Sequence, residues 1–154
     1  MIVYFMDEDL KPERAHFDDA GVDLKTSEDI ELPPKELKVV RTGVKVEIPF
    51  GYVGLLKDRS GLASKGLMSL GGVIDSGYRG EIKALLINTS NETMTFKRGD
   101  RVIQLIVARI DTTVYYHKGV PDDETDRGEN GFGSSGLRNG KYVMEEGGNN
   151  GSRK

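Results

Sequence analysis

The sequence contains no cysteine. That absence excludes a disulfide framework, a thiol nucleophile and any thiolate-held metal. It also excludes the zinc nucleobase deaminases, whose metal needs cysteine ligands beside a His-x-Glu pair. Histidine is scarce: His16 and His117 are the only two, too few for a histidine-rich metal site. Long apolar runs are missing as well. The start, MIVYFMDEDLKPER, has a brief apolar run with acids close behind it, which suits neither a signal peptide nor a membrane span. The expectation is therefore an intracellular, cytoplasmic protein (host cytoplasm for a viral gene) without a membrane partner. The sequons beginning at Asn88, Asn91 and Asn150 then read as chance matches. Excess positive charge is also lacking, at a net charge of −3. Nucleic-acid binders are usually basic, so nucleic acid is disfavoured as a partner. A small polyanion remains open if Arg and Lys are gathered locally or a divalent cation helps.

What is present is ordinary for one globular domain: 154 residues, 36% hydrophobic and 31% charged. The 20 glycines suggest many turns and so many short strands. Val44 to Ile48 alternates as a half-buried strand should, and Tyr52 to Lys57 reads as the next. Ser60 to Leu67 is the best place for a short helix, with Ser60 a candidate N-cap. Gly71-Gly72 marks a turn or close backbone approach. Val73-Ile74 and Glu81 to Asn88 look like the two arms of a hairpin, and Thr93 to Phe96 like a short strand. Lys97 to Asp100 is a turn, and the almost continuously apolar Arg101 to Ile110 a central strand buried on both faces. Val3 to Phe5 and Val114 to Tyr116 are candidate edge strands. No segment holds a long 3.6-residue period, which argues against a helical bundle or a βαβ fold. An all-β sandwich, barrel or jelly roll fits better. From Gly119 the chain turns polar and Gly-rich, which predicts a flexible C-terminal arm.

Five segments combine Gly, small hydroxyl residues and charge. In Ala20-Gly21-Val22-Asp23-Leu24, Asp23 is either a plain turn or strand acid, or a carboxylate near a hydrated metal such as Mg²⁺. In Arg59-Ser60-Gly61-Leu62-Ala63-Ser64-Lys65, Ser60 and Gly61 at a helix start make an anion site, and the Arg59 fork suits phosphate. Simple capping with a solvated Arg explains the same residues. In Gly72 to Glu81, Asp75 is a candidate general base and Tyr78 a ring for a sugar or base. An ordinary turn also favours such residues. In Gly99 to Gln104, Gln104 is a polar amide inside an apolar run and needs partners. The fifth, Arg127-Gly128-Glu129-Asn130-Gly131-Phe132-Gly133-Ser134-Ser135-Gly136, includes G-x-G-x-x-G. No strand precedes it, so it is not a dinucleotide fingerprint. Its amides and hydroxyls still suit phosphate oxygens.

In order and content together, AGVDL, RSGLASK, GGVIDSGYRGE, GDRVIQLI and RGENGFGSSG resemble the five motifs of the trimeric dUTPase family. The resemblance implies a jelly-roll or β-clip-like distorted barrel, assembled as a homotrimer with active sites at subunit interfaces. It implies a β core over 1–118, an arm over 119–136 that closes the site, and a disordered tail over 137–154. It implies Mg²⁺-assisted hydrolysis of dUTP to dUMP and pyrophosphate. By that resemblance Asp75 activates the water that attacks the α-phosphorus, and Tyr78 packs on deoxyribose. The backbone of Gly72, Val73 and Ile74 reads uracil, and Lys83 lines the nucleoside pocket. Arg59, Ser60, Gly61 and Gln104 hold phosphates, while Asp23 acts through metal-bound water. In the arm, Arg127 contacts phosphate, Phe132 stacks on uracil, and Gly133, Ser134 and Ser135 cover the γ-phosphate.

The match has departures. Gly77 stands where many dUTPases carry a second acid, Asp58 replaces a frequent Pro, Ser135 replaces a common Thr, and the stretch from Lys65 to Val73 is short. The related dCTP deaminase shares the Ile-Asp-x-Gly of Ile74 to Gly77. It needs a Glu as proton carrier where this chain has Leu85. A non-enzymatic regulatory protein on the same fold is the other alternative, against which the intact Asp75, Tyr78 and arm argue.

Overall fold

The long apolar segment near the end of the core is strand β11 (Arg101–Arg109), and it organises the sheet that carries most of the motifs. It pairs antiparallel on one edge with β2 (Gly21–Lys25) and on the other with β6 (Tyr52–Lys57), which in turn pairs with β8 (Val73–Ile74). The structure, a computed structural model, describes residues 1–120. Its strands form three further sheets. One is β4 (Leu37–Arg41), β9 (Lys83–Asn88) and β7 (Leu67–Leu70), with β9 central. The others pair β1 (Ile2–Phe5) with β5 (Val44–Glu47), and β3 (Ile30–Leu32) with β10 (Met94–Phe96). None of these sheets closes into a barrel. Met1–Thr113 forms one compact unit. Among the described residues, no helix is long and apolar enough to cross a membrane.

One core joins the sheets. Leu24, Val40, Val44, Val46, Leu56, Ile82, Leu86 and Leu105 meet in it, all nearly inaccessible. Alternation explains which side chains enter. In β5 Val44 and Val46 point inward while Lys45 faces water, as the period-2 pattern requires. Glycine serves close packing at Gly54: a Cβ there would stand 2.6 Å from Ile48 Cδ1 and 3.1 Å from Leu105 Cδ1. Buried Asn88 is fully used. Its amide donates to the Leu32 and Glu92 carbonyls, and its oxygen accepts from the Ser90 amide and hydroxyl. A glycan has no route to that side chain.

Three expectations need correction. Val73-Ile74 and Glu81 to Asn88 are not two arms of one hairpin: β8 pairs with β6, whereas β9 lies between β4 and β7 in another sheet. The intervening turn resembles a hairpin tip in composition, and composition does not specify the partner. The helix is a single turn, α1 (Ser60–Ala63); Arg59 is its N-cap without a side-chain cap, and Leu67 opens a strand. Val114 to Tyr116 forms no strand.

The N-terminal segment is tied down by charge. Arg98 donates to Asp9 at 3.0 Å, to Asp7, and to the Ser27 carbonyl, and Lys97 donates to Asp29 at 2.8 Å. The Arg98 hydrogen bond holds Asp9 below the usual carboxylate range, and the Lys97 hydrogen bond does the same for Asp29. A carboxylate whose folded pKa is depressed adds stability above its unfolded value, and that stability fades as pH falls through the folded value. Arg98→Ala should therefore lower the melting temperature at neutral pH, with the gap to the parent closing between about pH 5 and pH 2. A gap independent of pH in thermal unfolding would exclude this linkage.

Candidate active site

Pairing of β11 with both β2 and β6 sets Asp23, Gln104 and Lys57 opposite one another on one face of the sheet. The register of β11 against β2 shifts between Arg101 and Ile103. This bulge matters because residues three apart in a regular strand face opposite ways. With one residue extra, Arg101 and Gln104 both fall opposite β2 residues of a single face, Lys25 and Asp23. Arg101 then reaches Asp23 Oδ2 at 3.3 Å. Arg59, leaving the end of β6, donates from Nε to Asp23 Oδ1 at 2.9 Å and from Nη1 to the Arg101 carbonyl at 2.9 Å. One half-buried carboxylate thus orients two guanidinium groups.

Beside this group lies an open cavity of about 360 Å³ lined by Asp23, Arg59, Ser60, Gly61 and Gln104, with Asp19 and Leu62 also on its wall. The structure therefore gathers five sequence-predicted residues from three separated segments. Among the described residues the Ser60 and Gly61 amides have no partner, and Gly61 has open space around its Cα. Gln104 satisfies its amide by donating from Nε2 to the Asp58 carbonyl at 2.8 Å. Gly21 makes room for it: a Cβ there would stand 2.2 Å from Gln104 Oε1.

A second group forms around β8. Gly71 and Gly72 have positive φ, +69° and +94°. Gly72 packs against Leu56, where a Cβ would come within 2.9 Å, and its carbonyl accepts the Leu56 amide at 2.8 Å. Val73-Ile74 is the edge strand of its sheet, so half its backbone groups face away from β6. Asp75 is exposed and its carbonyl accepts the Tyr78 amide at 3.0 Å. The Tyr78 hydroxyl donates to the Glu81 carbonyl at 2.9 Å, which fixes the ring over Gly80. Glu81 is itself anchored, accepting from Arg41 and from the Gly43 amide at 2.9 Å. Burial would raise its carboxyl, but those hydrogen bonds outweigh burial and hold it below its ordinary value. Lys83 is exposed at the start of β9. Asp75, Tyr78 and Lys83 are not on the wall of the cavity beside Asp23 and Arg59. Arg127, Phe132, Gly133, Ser134 and Ser135 lie outside the described residues.

The family model described as dUTPase matches residues 9–136. The chain belongs to the dUTPase family. Its similarity extends to the deoxyuridine 5'-triphosphate nucleotidohydrolase of Mycolicibacterium gilvum (strain PYR-GCK), at 46% identity, over 88% of this chain and 94% of that protein. Among solved structures, a Staphylococcus bacteriophage 80alpha dUTPase with dUpNHpp superposes with a TM-score of 0.80 at 32% identity, over 88% of this chain and 98% of that one. A mutant dUTPase of S. aureus phage phi11, described with a structural Mg(II) ion, superposes at 0.70 with 32% identity, over 80% and 98%. The open all-β arrangement is thus the jelly roll of dUTPases.

Sequence reasoning did not single out Asp58 or Arg101 for the dUTPase site. Arg101 was hidden because a bulge, which leaves no local signal, turns it toward Asp23. Asp58 was visible only as a departure from the family pattern. At Gly72, a side chain would meet both a positive φ and the Leu56 contact. Gly72→Ala should cost about 2 kcal/mol or more. Urea unfolding checks this, and a change below about 0.5 kcal/mol, the scale of a neutral surface substitution, would refute the close-packing account.

Proposed function

We propose that this chain hydrolyses dUTP to dUMP and pyrophosphate with Mg²⁺, as a homotrimer, limiting uracil in DNA and supplying dUMP. Membership of the dUTPase family, joined to a cavity that collects Asp23, Arg59, Ser60, Gly61 and Gln104, carries this reading. Arg59, the Ser60 and Gly61 amides and Gln104 hold the phosphates. Asp75 takes a proton on its carboxylate from the attacking water, which enters in line at the α-phosphorus as pyrophosphate leaves. Tyr78, its ring fixed by Glu81 and Gly80, packs on deoxyribose and leaves no room for a ribose 2′-hydroxyl. Outward backbone groups of Gly72, Val73 and Ile74 pair with uracil, and Lys83 lines the nucleoside side. Cytosine presents the opposite donor and acceptor pattern and leaves those groups unpaired, which is costly.

The residues fit Mg²⁺ carried by the substrate rather than held in a protein cage. Among the described residues no three His, Cys, Asp or Glu side chains converge, and hydrated Mg²⁺ commonly needs only one or two carboxylates plus phosphate oxygens. Asp23 would hold it through water. When bound, Mg²⁺ supplies charge neutralisation on the phosphates.

The trimer reading draws on one sheet face. Cross-strand rows Leu37–Ile87–Met68 and Val39–Leu85–Leu70 lie on one side of β4-β9-β7. Leu37, Val39, Met68 and Leu70 are each more than 40% exposed there. Such a surface is costly in water and suits a neighbouring subunit. Sites between subunits also account for Asp75 standing off the cavity wall. In this assignment 1–118 is the core, 119–136 an arm in which Arg127, Phe132, Gly133, Ser134 and Ser135 cover the substrate, and 137–154 a tail. A dCTP deaminase finds no support: Leu85 sits in an apolar row and cannot carry a proton.

Purified protein incubated with Mg²⁺ and, separately, dUTP, dCTP, dTTP or UTP should give dUMP and pyrophosphate from dUTP alone, read by anion-exchange chromatography. Deamination of dCTP, or binding of dUTP without turnover, would overturn the assignment. Asp75→Asn should lower kcat by about 10³-fold or more while dUTP still binds, since its base can no longer accept a proton; full activity would remove Asp75 from that role. Deleting the chain from Arg127 onward should cripple turnover and leave the melting temperature of the trimer unchanged. A truncated protein with parental kcat and KM would show that the arm is not the lid.

A further inference from the structure

Arg101 meets the cavity only through its neighbours. It opens β11 and pairs with Lys25 of β2. Lys25 is engaged elsewhere, by Glu13 at 3.5 Å. The Arg101 guanidinium instead reaches Asp23, two residues along the same face of β2, and donates from Nη1 to Oδ2 at 3.3 Å. It is not on the cavity wall. In a regular strand Arg101 and Gln104 would face opposite ways, so the bulge between Arg101 and Ile103 is what makes this contact. The contact adds little to stability by itself: the Arg101 side chain is 42% exposed, and ion pairs so exposed contribute little.

What the contact does is hold a carboxylate still. The Asp23 backbone is fixed on both sides: its amide donates to the Glu13 carbonyl at 2.8 Å, its carbonyl accepts the Glu13 amide at 3.3 Å, and Gln104 pairs with it across the other edge. Only the side chain can still turn. Oδ1 accepts from Arg59 Nε and Oδ2 from Arg101 Nη1, so the two guanidinium groups grip the carboxylate from both oxygens. Arg59 is in turn held at two points, by Asp23 and by the Arg101 carbonyl, and it lines the cavity. Among the described residues its Nη2 group has no acceptor. Those two hydrogens are the donors a phosphate oxygen would meet. Without the Arg101 side chain the carboxylate is held from one oxygen only, and Arg59 is free to turn with it.

We propose that Arg101 is a positioning residue: through Asp23 it fixes the direction of the Arg59 guanidinium, so that a phosphate oxygen of dUTP meets a donor already aimed at the cavity. The proposal rests on the hydrolysis proposed above, and its consequence is a binding one. A phosphate that must first order its own arginine binds more weakly. KM then rises while kcat, set by Asp75 and its water, changes little.

The test follows three readouts in the parent, Arg101→Met and Arg101→Lys: steady-state dUTP hydrolysis, binding of the analogue dUpNHpp, and exchange of the Arg59 Nε proton with water by NMR. Arg101→Met keeps the bulk of the side chain without its donors. It should raise KM for dUTP and Kd for dUpNHpp about tenfold, the equivalent of one charge-assisted hydrogen bond, with kcat within about threefold and faster Arg59 exchange. A single donor meets Asp23, so Arg101→Lys should return KM and Kd to within about threefold of the parent and keep the Arg59 proton protected. Asp23→Asn offers Arg101 no second oxygen, and adding Arg101→Met to it should not weaken dUpNHpp binding further. A purely structural role would lower kcat through a smaller active fraction and leave KM and Kd alone. A direct contact of Arg101 with phosphate would raise Kd as much in Asp23→Asn as in the parent. Either result, or a failure of Lys to restore binding, overturns the proposal. A parent that neither hydrolyses dUTP nor binds dUpNHpp would instead defeat the function. Arg59 exchange then decides the tether alone: fast exchange in Arg101→Met and slow exchange in Arg101→Lys uphold it, and equal exchange in all three removes it.

Discussion

Strand β11 has both of its edges occupied, by β2 and by β6, and the grouping of Asp23, Arg59 and Gln104 exists because of that double pairing. The residues concerned are far apart in sequence: Asp23, Arg59 and Gln104 belong to segments separated by tens of residues. Hydrogen-bond register alone brings Asp23 and Lys57 opposite Gln104. The bulge after Arg101 then adds a second guanidinium to the same face. A one-residue slip of either neighbour would turn Asp23 or Lys57 to the core face and break the group. Buried Leu24 of β2 and Leu56 of β6 oppose the slip, since each would be turned out of the core in exchange for Asp23 or Lys57.

Local pattern was legible in the sequence wherever a strand is long enough to show it. Val44 to Ile48, Tyr52 to Lys57 and Arg101 to Ile110 lie within a residue or two of their places. The turn at Lys97 to Asp100 was readable because Gly99 supplies the positive φ it needs. Partners were not readable. Val73-Ile74 and Glu81 to Asn88 flank a polar, Gly-rich turn as hairpin strands do, yet they belong to different sheets. Strand β4 escaped because its apolar residues do not alternate as a core face would: Leu37 and Val39 are exposed and the adjacent Val40 is buried. Arg59, Ser60 and Gly61 were legible as an anion site, Asp23 as a carboxylate suited to a hydrated metal, and Gln104 as an amide in need of partners. Their convergence is a property of long-range pairing, which no local window contains.

Two consequences of the single-chain geometry point in one direction. Asp75, Tyr78 and Lys83 stand apart from the cavity lined by Asp23, Arg59, Ser60, Gly61 and Gln104. Meanwhile the β4-β9-β7 sheet turns an apolar face outward instead of covering it with its own chain. The assembly proposed above would account for both the divided motif residues and the uncovered apolar face.

The cavity is close to neutral. Its wall carries Asp19, Asp23 and Arg59 as its ionisable groups, two carboxylates against one guanidinium. Arg101, bonded to Asp23 just behind, and Lys57, opposite Gln104 on the same face, bring the local balance to within one charge of neutrality. A triphosphate brings several negative charges, and a neutral cavity in a chain of net charge −3 offers little to offset them. What the cavity does offer is geometry: open amides at Ser60 and Gly61, a guanidinium locked by Asp23, and an amide fixed on Asp58. Positioning without net charge is a stable arrangement for the empty protein, because it avoids the self-repulsion of clustered cations. It makes polyanion binding conditional on positive charge arriving with the substrate or from another segment. A divalent cation on the phosphates would be one such source, and a lysine or arginine of another segment or subunit the other.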